Sequence, residues 1–518
     1  MSALAAGSDF LPPGGMTLEA VARALAGRFE VRDGRSARAL DRTYYDTFDG
    51  LVHGAGLTLS HGAGTLTLSE RDSGAERARL AMASPGERLL TGDLAVSPMR
   101  DQLREVVEVR ALLPIARVRI RTRAFQVLDD ERKTVVRMML EQPELMNSRG
   151  DPALGTRVRV LPVRGYDEEL ALVRRTLEGE LGFAPAPQPL VDEAVKASGG
   201  DPAGISSKIV VPLGAQERAD LATIAVLRRL EAVIEANLEG TIADLDSEFL
   251  HDFRVSVRRT RAVQRELKAL FPPEELRHFR SEFRWLQQVT GDSRDLDVYV
   301  LGFESMRALV PETMRDDLEP LLAVLRRRRG AARRKMVRAI RSKRTAALLS
   351  EWSSFLTELP DRPEEDRADA GQPISAVAAG RIRKVYRQMV KMGRAIDKDS
   401  PPEDYHELRK KGKELRYLLE LFGAPLYPGE VVKPMIKSLK ALQDVLGLHQ
   451  DREVQVATLR SLEHEVDAAQ GGTGALMAMG VLVARLAEDE LAARATFAER
   501  FAVFASKAQR KLVTDTFA

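Results

Sequence analysis

A basic helix is written twice in this chain, with a spacing that could hold a polyanion. His251-Asp-Phe-Arg254-Val-Ser-Val-Arg258-Arg-Thr-Arg261 returns as His406-Glu-Leu-Arg409-Lys-Lys-Gly-Lys413-Glu-Leu-Arg416, offset by 155 (406 − 251). In each copy the cationic positions fall at steps of 3, 4 and 3, which places them on one face of an α-helix. A second face is largely apolar in both: Phe253, Val257, Thr260 and Leu267 correspond to Leu408, Gly412, Leu415 and Phe422. A second shared block follows, Leu286-Gln-Gln-Val-Thr-Gly291-Asp-Ser-Arg-Asp295 and Leu442-Gln-Asp-Val-Leu-Gly447-Leu-His-Gln-Asp451, now offset by 156. Arg258 becomes Lys413 between the copies, so charge is kept while the residue changes. Two matching helices, each with a core face and a cationic face, would make a paired cradle.

Two further strips add positive charge. Arg326 to Arg344 contains Arg326–Arg329, Arg333, Arg334, Lys335, Arg338, Arg341, Lys343 and Arg344 and no acid. Arg381 to Arg394, with Arg383, Lys384, Arg387 and Lys391, has none either. The alternative for each strip is a solvated face paired with acids elsewhere.

Other chemistries fit poorly. The seven histidines (His53, His61, His251, His278, His406, His449, His464) form no HExxH pair or ligand cluster, so no metal is expected. A P-loop is absent, and no cofactor is expected. Asp295 and Asp451 read as N-caps or as partners of a neighbouring arginine rather than as catalytic acids. Single-strand nucleic acid binding interleaves aromatics with cations. Aromatics are only 5% of this chain, and the basic faces offer little beyond Trp285, Tyr386 and Tyr417. Nucleic acid is therefore disfavoured. A base-free polyanion such as inorganic polyphosphate needs only guanidinium and ammonium groups at close spacing.

The elements that would position these residues divide the chain in two. With 518 residues it exceeds a single core, and with 44% apolar and 30% charged residues it is an ordinary globular composition. Net charge is only +3, so polyanion affinity has to come from segregated charge. There is no cysteine, the start lacks a signal-peptide pattern, and the longest apolar run, Gly474 to Ala484, is short of the roughly 20 residues of a membrane helix. A cytoplasmic location without membrane contact is expected.

Residues 1–200 show period-two stretches that predict antiparallel strands: Gly56–Ser60, Gly64–Ser69, Ala116–Ala124, Thr134–Met139 and Arg157–Leu161. Helices are predicted at Thr17–Arg28 and Tyr166–Leu181. A linker follows over 201–216. From there the 3.6 period dominates 217–510, as two repeats of about 217–359 and 374–510. The acidic stretch Pro360–Pro373 between them reads as an exposed connector. The fold class is thus multidomain α+β: an antiparallel, tunnel- or barrel-like β domain, then an all-α, internally duplicated helical bundle.

The duplicated blocks resemble the CHAD domain, the conserved histidine α-helical domain. The resemblance implies a helical bundle that binds inorganic polyphosphate through basic residues and can direct proteins to polyphosphate granules, where granule-associated proteins become possible partners. By position it implies a binding surface of His251, Arg254, Arg258, Arg261, His406, Arg409, Lys413 and Arg416, joined by Arg284 and Lys440 (440 − 156 = 284). One departure is Arg265, whose counterpart is Glu420, so the halves cannot be electrically identical. Residues 1–200 resemble the CYTH, or triphosphate tunnel, domain in Leu40-Asp-Arg-Thr-Tyr44-Tyr-Asp46-Thr, Gly54-Ala-Gly-Leu57, the strand Ala116–Ala124 and Leu190-Val-Asp192. That family's catalysis implies an opening E-x-E-x-K strand holding divalent metal. Here Ser8-Asp-Phe-Leu-Pro12 offers only Asp9, and Arg157 and Arg159 stand where further acids are expected. Arg117, Arg119, Arg121 and Arg123 alternate along one strand and could hold phosphate, or form an edge-strand charge face. A degenerate, non-catalytic tunnel domain is expected. The alternatives are a metal-dependent triphosphatase or polyphosphate hydrolase working in that tunnel, and a nucleic-acid-binding scaffold.

Overall fold

The computed structural model of the protein describes residues 8–33, 38–146, 154–397, 399–469 and 471–517. Contacts divide the chain into two units, Met1–Ser206 and Ser207–Ala518.

Ten strands form the sheet of the first unit: β1 Ser8–Leu11, β2 Val31–Asp33, β3 Arg38–Thr47, β4 Leu57–Gly62, β5 Thr65–Glu70, β6 Glu76–Ala81, β7 Leu112–Leu128, β8 Thr134–Leu145, β9 Arg157–Pro162 and β10 Ala184–Pro185. The order is β10-β1-β9-β8-β7-β3-β4-β5-β6, with β2 beside β7, and every pairing is antiparallel. The sheet curls into a half-barrel, as the tunnel-like expectation required. Alternation explains the strands. In β4 and β5, Leu57, Leu59, Leu66 and Leu68 are buried while the residues between them are not. β7 lies between β3 and β8, so its arginines are not on an edge strand as the sequence allowed. They point out of the sheet while Val118 and Ile120 point in, and each meets a carboxylate: Arg117 Glu87, Arg119 Asp41, Arg121 Glu144 and Arg123 Asp33.

The second unit is helical: α1 Ala219–Ala236, α2 Ser247–Glu266, α3 Pro273–Val289, α4 Gly291–Leu301, α5 Glu319–Ile340, α6 Lys343–Glu358, α7 Ile374–Arg394, α8 Pro402–Leu418, α9 Gly429–Ser461 and α10 Gly472–Phe504. The duplication is visible in the order. α1 and α2 start 155 residues before α7 and α8 (374 − 219, 402 − 247), and α3 with α4 corresponds to the single long α9. Asp246 starts α2 by accepting from the backbone N–H groups of Glu248 and Phe249. α8 starts instead at Pro402, with Glu403 and Asp404 in its first turn. The apolar faces are buried as the spacing requires, Phe253, Val257, Leu408 and Leu415 all being 0% exposed. Each such side chain contributes about 1.5–3 kcal/mol. One core runs through both repeats, joining Tyr299, Leu321 and Leu325 to Leu459, Leu482 and Leu486. No helix among the described residues is long and apolar enough to cross a membrane.

The connector 360–373 is not simply exposed. Arg367 is fully buried and donates to Asp220 at 3.0 Å, and Ala370 and Gln372 accept from the first turn of α1. An acidic, Pro-containing sequence gave no sign of this because its one buried cation finds its acid 147 residues away.

Candidate anion-binding site

α2 and α8, the two basic helices, pack against each other. Between them and α9 lies a cavity of about 530 Å³ lined by His251, Arg258, Arg259, Arg409, Lys413 and Arg416, with Tyr417, Gln443, Asp444 and Asp451. Five of the ten residues expected from the sequence, His251, Arg258, Arg409, Lys413 and Arg416, therefore come together, and they come from both repeats.

The cavity is short of negative charge. Neither Arg258 nor its counterpart Lys413 has an ion pair among the described residues, and Arg258 Nε is buried without a partner. Burial, then Arg409 and Arg258, push the Lys413 ammonium down to about 8. Burial likewise lowers the His251 imidazole below its usual range. Arg409 donates to Asp451 at 3.2 Å. Arg416 donates to Glu420 at 2.7 Å, and Arg259 donates to the other oxygen of the same carboxylate at 3.0 Å. Glu420, the acid that replaces Arg265 across the repeat, thus clamps two cations at one end of the cavity. Asp451 is an arginine partner within α9, and Asp295 lies within α4, so neither is an N-cap.

The other five expected residues are placed elsewhere. Arg254 turns toward α3 and donates to the Gln287 carbonyl at 2.8 Å and the Thr290 hydroxyl at 2.9 Å. Burial and Arg258 push its guanidinium down to about 10. His406 bonds Gln450, whose counterpart Arg294 holds the Ser247 carbonyl and Glu248 instead, so the two histidines are not used alike. Arg261 and Arg284 belong to a neighbouring cluster with Arg280, and burial together with those arginines depresses Arg261. Lys440 is exposed on α9, outside the cavity lining.

The shared glycines gain a physical meaning here. A Cβ on Gly291 would stand 3.7 Å from the Arg254 guanidinium, and one on Gly447 would stand 3.6 Å from that of Arg409. The glycine leaves the surface over which each arginine lies. Sequence reasoning missed Gln443 and Arg259. Gln443 lines the cavity with both amide atoms unpartnered, and its recurrence beside Gln287 in the Leu-Gln block was the available signal.

The long basic strip on α5 is mostly spent on structure. Arg329 bridges Asp244 and Asp297, Arg327 and Arg328 hold Glu465, and Arg333 donates to the Ile242 carbonyl. Just beyond, on α6, Arg344 pairs with Glu282 at 2.7 Å above the Trp285 ring. On α7, Arg381 pairs with Glu266, while Arg387 and Lys391 stay exposed outside the cavity.

In the β unit, the Asp9 carboxylate accepts from Arg159 at 2.8 and 3.0 Å and lies 3.6 Å from fully buried Arg157. Arg157 also holds Glu193. A carboxylate already shared by two guanidiniums is a poor ligand for magnesium, so the residues present do not fit the metal site that a catalytic triphosphate tunnel requires. Among the described residues no three His, Asp or Glu side chains gather as a metal site.

A duplicated helical unit with one cationic cavity between its repeats defines the class. Comparison with known families shows that residues 225–460 match the CHAD domain, so the helical unit contains that domain. Among solved structures, the crystal structure of the CHAD domain from the plant Ricinus communis is similar at 23% identity, covering 57% of this chain and 95% of that one, with a TM-score of 0.48. PptA from Streptomyces chartreusis is similar at 17% identity, covering 55% and 99%, with a TM-score of 0.41. No curated protein sequence matches the chain.

Proposed function

We propose that the helical unit binds inorganic polyphosphate in the cavity between α2 and α8, and that this binding carries the protein to polyphosphate granules in the cytoplasm. The observation that supports the reading is the pair Arg258 and Lys413. They are repeat equivalents (413 − 258 = 155), they line one cavity, and neither has a carboxylate partner among the described residues. Like charges held together without acids are unfavourable unless an anion joins them. Arginine forks and a lysine point charge suit phosphate oxygens, and the Gln443 amide adds an uncharged donor. Tyr417 is the one aromatic in the lining, while Tyr386 is buried with its hydroxyl on the Phe504 carbonyl and Trp285 lies under Arg344. Base stacking therefore has little to use, which favours polyphosphate over nucleic acid.

The β unit is read as a degenerate triphosphate-tunnel domain without hydrolytic activity, because its arginines neutralise the one acid of the opening strand. The test is binding of long-chain polyphosphate across a salt series, with Arg258→Ala/Lys413→Ala as the variant. Tight binding that weakens steeply with salt and is lost in the variant is expected. Equal affinity of variant and parent sinks the assignment of the cavity. Displacement by single-stranded DNA at the same phosphate concentration favours the nucleic-acid alternative. Magnesium-dependent phosphate release from tripolyphosphate overturns the reading of the β unit.

A further inference from the structure

A second cavity of about 630 Å³ opens between α3 of the first repeat and the connector 360–373. It is lined by Lys268, Arg277, Arg280 and Arg284 over a floor of Phe271 and Leu276. Arg261 connects it to the central cavity. It lies three residues, one helical turn, beyond Arg258 on α2, and it is close enough to Arg280 and Arg284 of α3 for their charges to depress its own pKa. Arg261, Arg280 and Arg284 have no ion pair among the described residues. Cations without an ion pair therefore run from Arg258, through Arg261 and Arg284, to Arg280, and Arg277, which holds Glu274, stands at the end of the run.

The second repeat breaks this path, although Lys433 and Lys440 stand in the places of Arg277 and Arg284 (277 + 156, 284 + 156). Arg416, the counterpart of Arg261, is tied to Glu420. Ile436 stands in the place of Arg280 (280 + 156), and Glu420 in the place of Arg265. The far wall of the second cavity carries Glu365 and Asp366, which repel an anion from that side and leave it the α3 wall.

We propose that a polyphosphate chain seated between α2 and α8 continues on one side only, past Arg261 and Arg284 to a second station at Arg280 and Arg277, so that the helical unit discriminates chain length. This rests on the central cavity being the polyphosphate site. A chain short enough for the central cavity makes all its contacts there. A longer one adds charge-assisted bonds to Arg261, Arg284 and Arg280, which lack carboxylate partners among the described residues, and reaches Arg277, which it would share with Glu274, over a partly apolar floor. The extension lies on one side of the cavity, since the other end meets Glu420.

The experiment measures affinity for tripolyphosphate and for long-chain polyphosphate at one ionic strength, in the full-length protein and in Arg277→Ala/Arg280→Ala. Both residues are exposed, so the fold should tolerate the changes. Long-chain affinity should fall about ten-fold or more in the variant, with tripolyphosphate unchanged. Asp366→Asn should act in the opposite sense, strengthening the long chain alone. The salt slope of the long chain should drop toward that of tripolyphosphate in the arginine variant. Long-chain affinity unaffected by the variant, or equal losses for both lengths, overturns the second station while leaving the central site standing. Binding of neither length by the parent protein, or full binding by Arg258→Ala/Lys413→Ala, overturns both.

Discussion

Lys413→Met should make the empty protein more stable while it weakens anion binding. The Lys413 ammonium is pushed from 10.5 to about 8 by burial first, and then by Arg409 and Arg258. A displacement of that size corresponds to about 3 kcal/mol of disfavoured charge in the folded state. The sign follows from proton counting. Between about pH 8 and 10.5 the unfolded chain holds a proton that the folded one has released, so stability contributed by this group rises with pH across that window. Below about 8 the full penalty is present, and methionine, of similar length but uncharged, removes it. The expected gain at pH 7 is about 1–3 kcal/mol, and it should shrink toward zero near pH 10. Both tryptophans, Trp285 and Trp352, lie in the helical unit, so denaturant unfolding followed by tryptophan fluorescence reports this unit alone. With polyphosphate present the ranking should reverse, because only the parent gains an ammonium–phosphate bond. A methionine variant that is less stable than the parent at pH 7 without ligand, or a difference that ignores pH, refutes the reasoning. In the same frame, polyphosphate affinity of the parent should decline as pH rises through about 8, and Lys413→Arg should abolish that decline.

Three other outcomes follow from the geometry. Arg254→Gln removes the donor that ties α2 to the Gln287 carbonyl and Thr290; it should cost about 1–2 kcal/mol by the same fluorescence assay, and weaken polyphosphate binding less than Arg258→Gln does. Gly240→Ala would place a Cβ 2.1 Å from the buried Phe249 ring at the start of α2, and a loss of about 3 kcal/mol or failure to accumulate is expected. In the β unit, Asp46 accepts from the backbone N–H groups of Thr47, Val52 and His53, and Asp46→Ala should cost about 2 kcal/mol, read as faster amide exchange at those residues.

Periodicity made the architecture legible, and pairing across long sequence separations hid the rest. Strands such as β4 and β5 alternate cleanly because one face is buried, and the basic helices announced themselves by repetition. β3 did not, because Leu40-Asp-Arg-Thr-Tyr-Tyr-Asp alternates charges and hydroxyls whose partners, such as Arg119 for Asp41, lie 78 residues away. The same limit applied to α5. Its arginines looked like a free cationic strip, but Arg329 finds Asp297 and Asp244 at separations of 32 and 85 residues. For the site, helical spacing identified which positions share a face and could not say which end of that face meets a neighbour. Arg254 and His406 turn toward backbone and Gln450, while Arg258 and Lys413 keep the cavity.

The two halves differ in a way that a purely structural duplication would not require. Where the first repeat has Arg265, held by Glu266 and Glu414, the second places Glu420, which satisfies Arg416 and Arg259 together. That carboxylate lowers the repulsion at one end of the cavity. At the centre, Arg258 and Lys413 remain without one. A protein selected only for stability would spread Glu420-like acids through the whole surface, as it does along α5, where Asp244, Asp297 and Glu465 neutralise the strip. The acids are present where charge is structural, and between the two basic helices they pair with Arg259, Arg416 and Arg409 and leave Arg258 and Lys413 without one. The cost, about 3 kcal/mol at Lys413 alone, is of the size that functional sites carry elsewhere. An anion entering the cavity would relieve it, which makes the empty site the strained state and the loaded site the relaxed one.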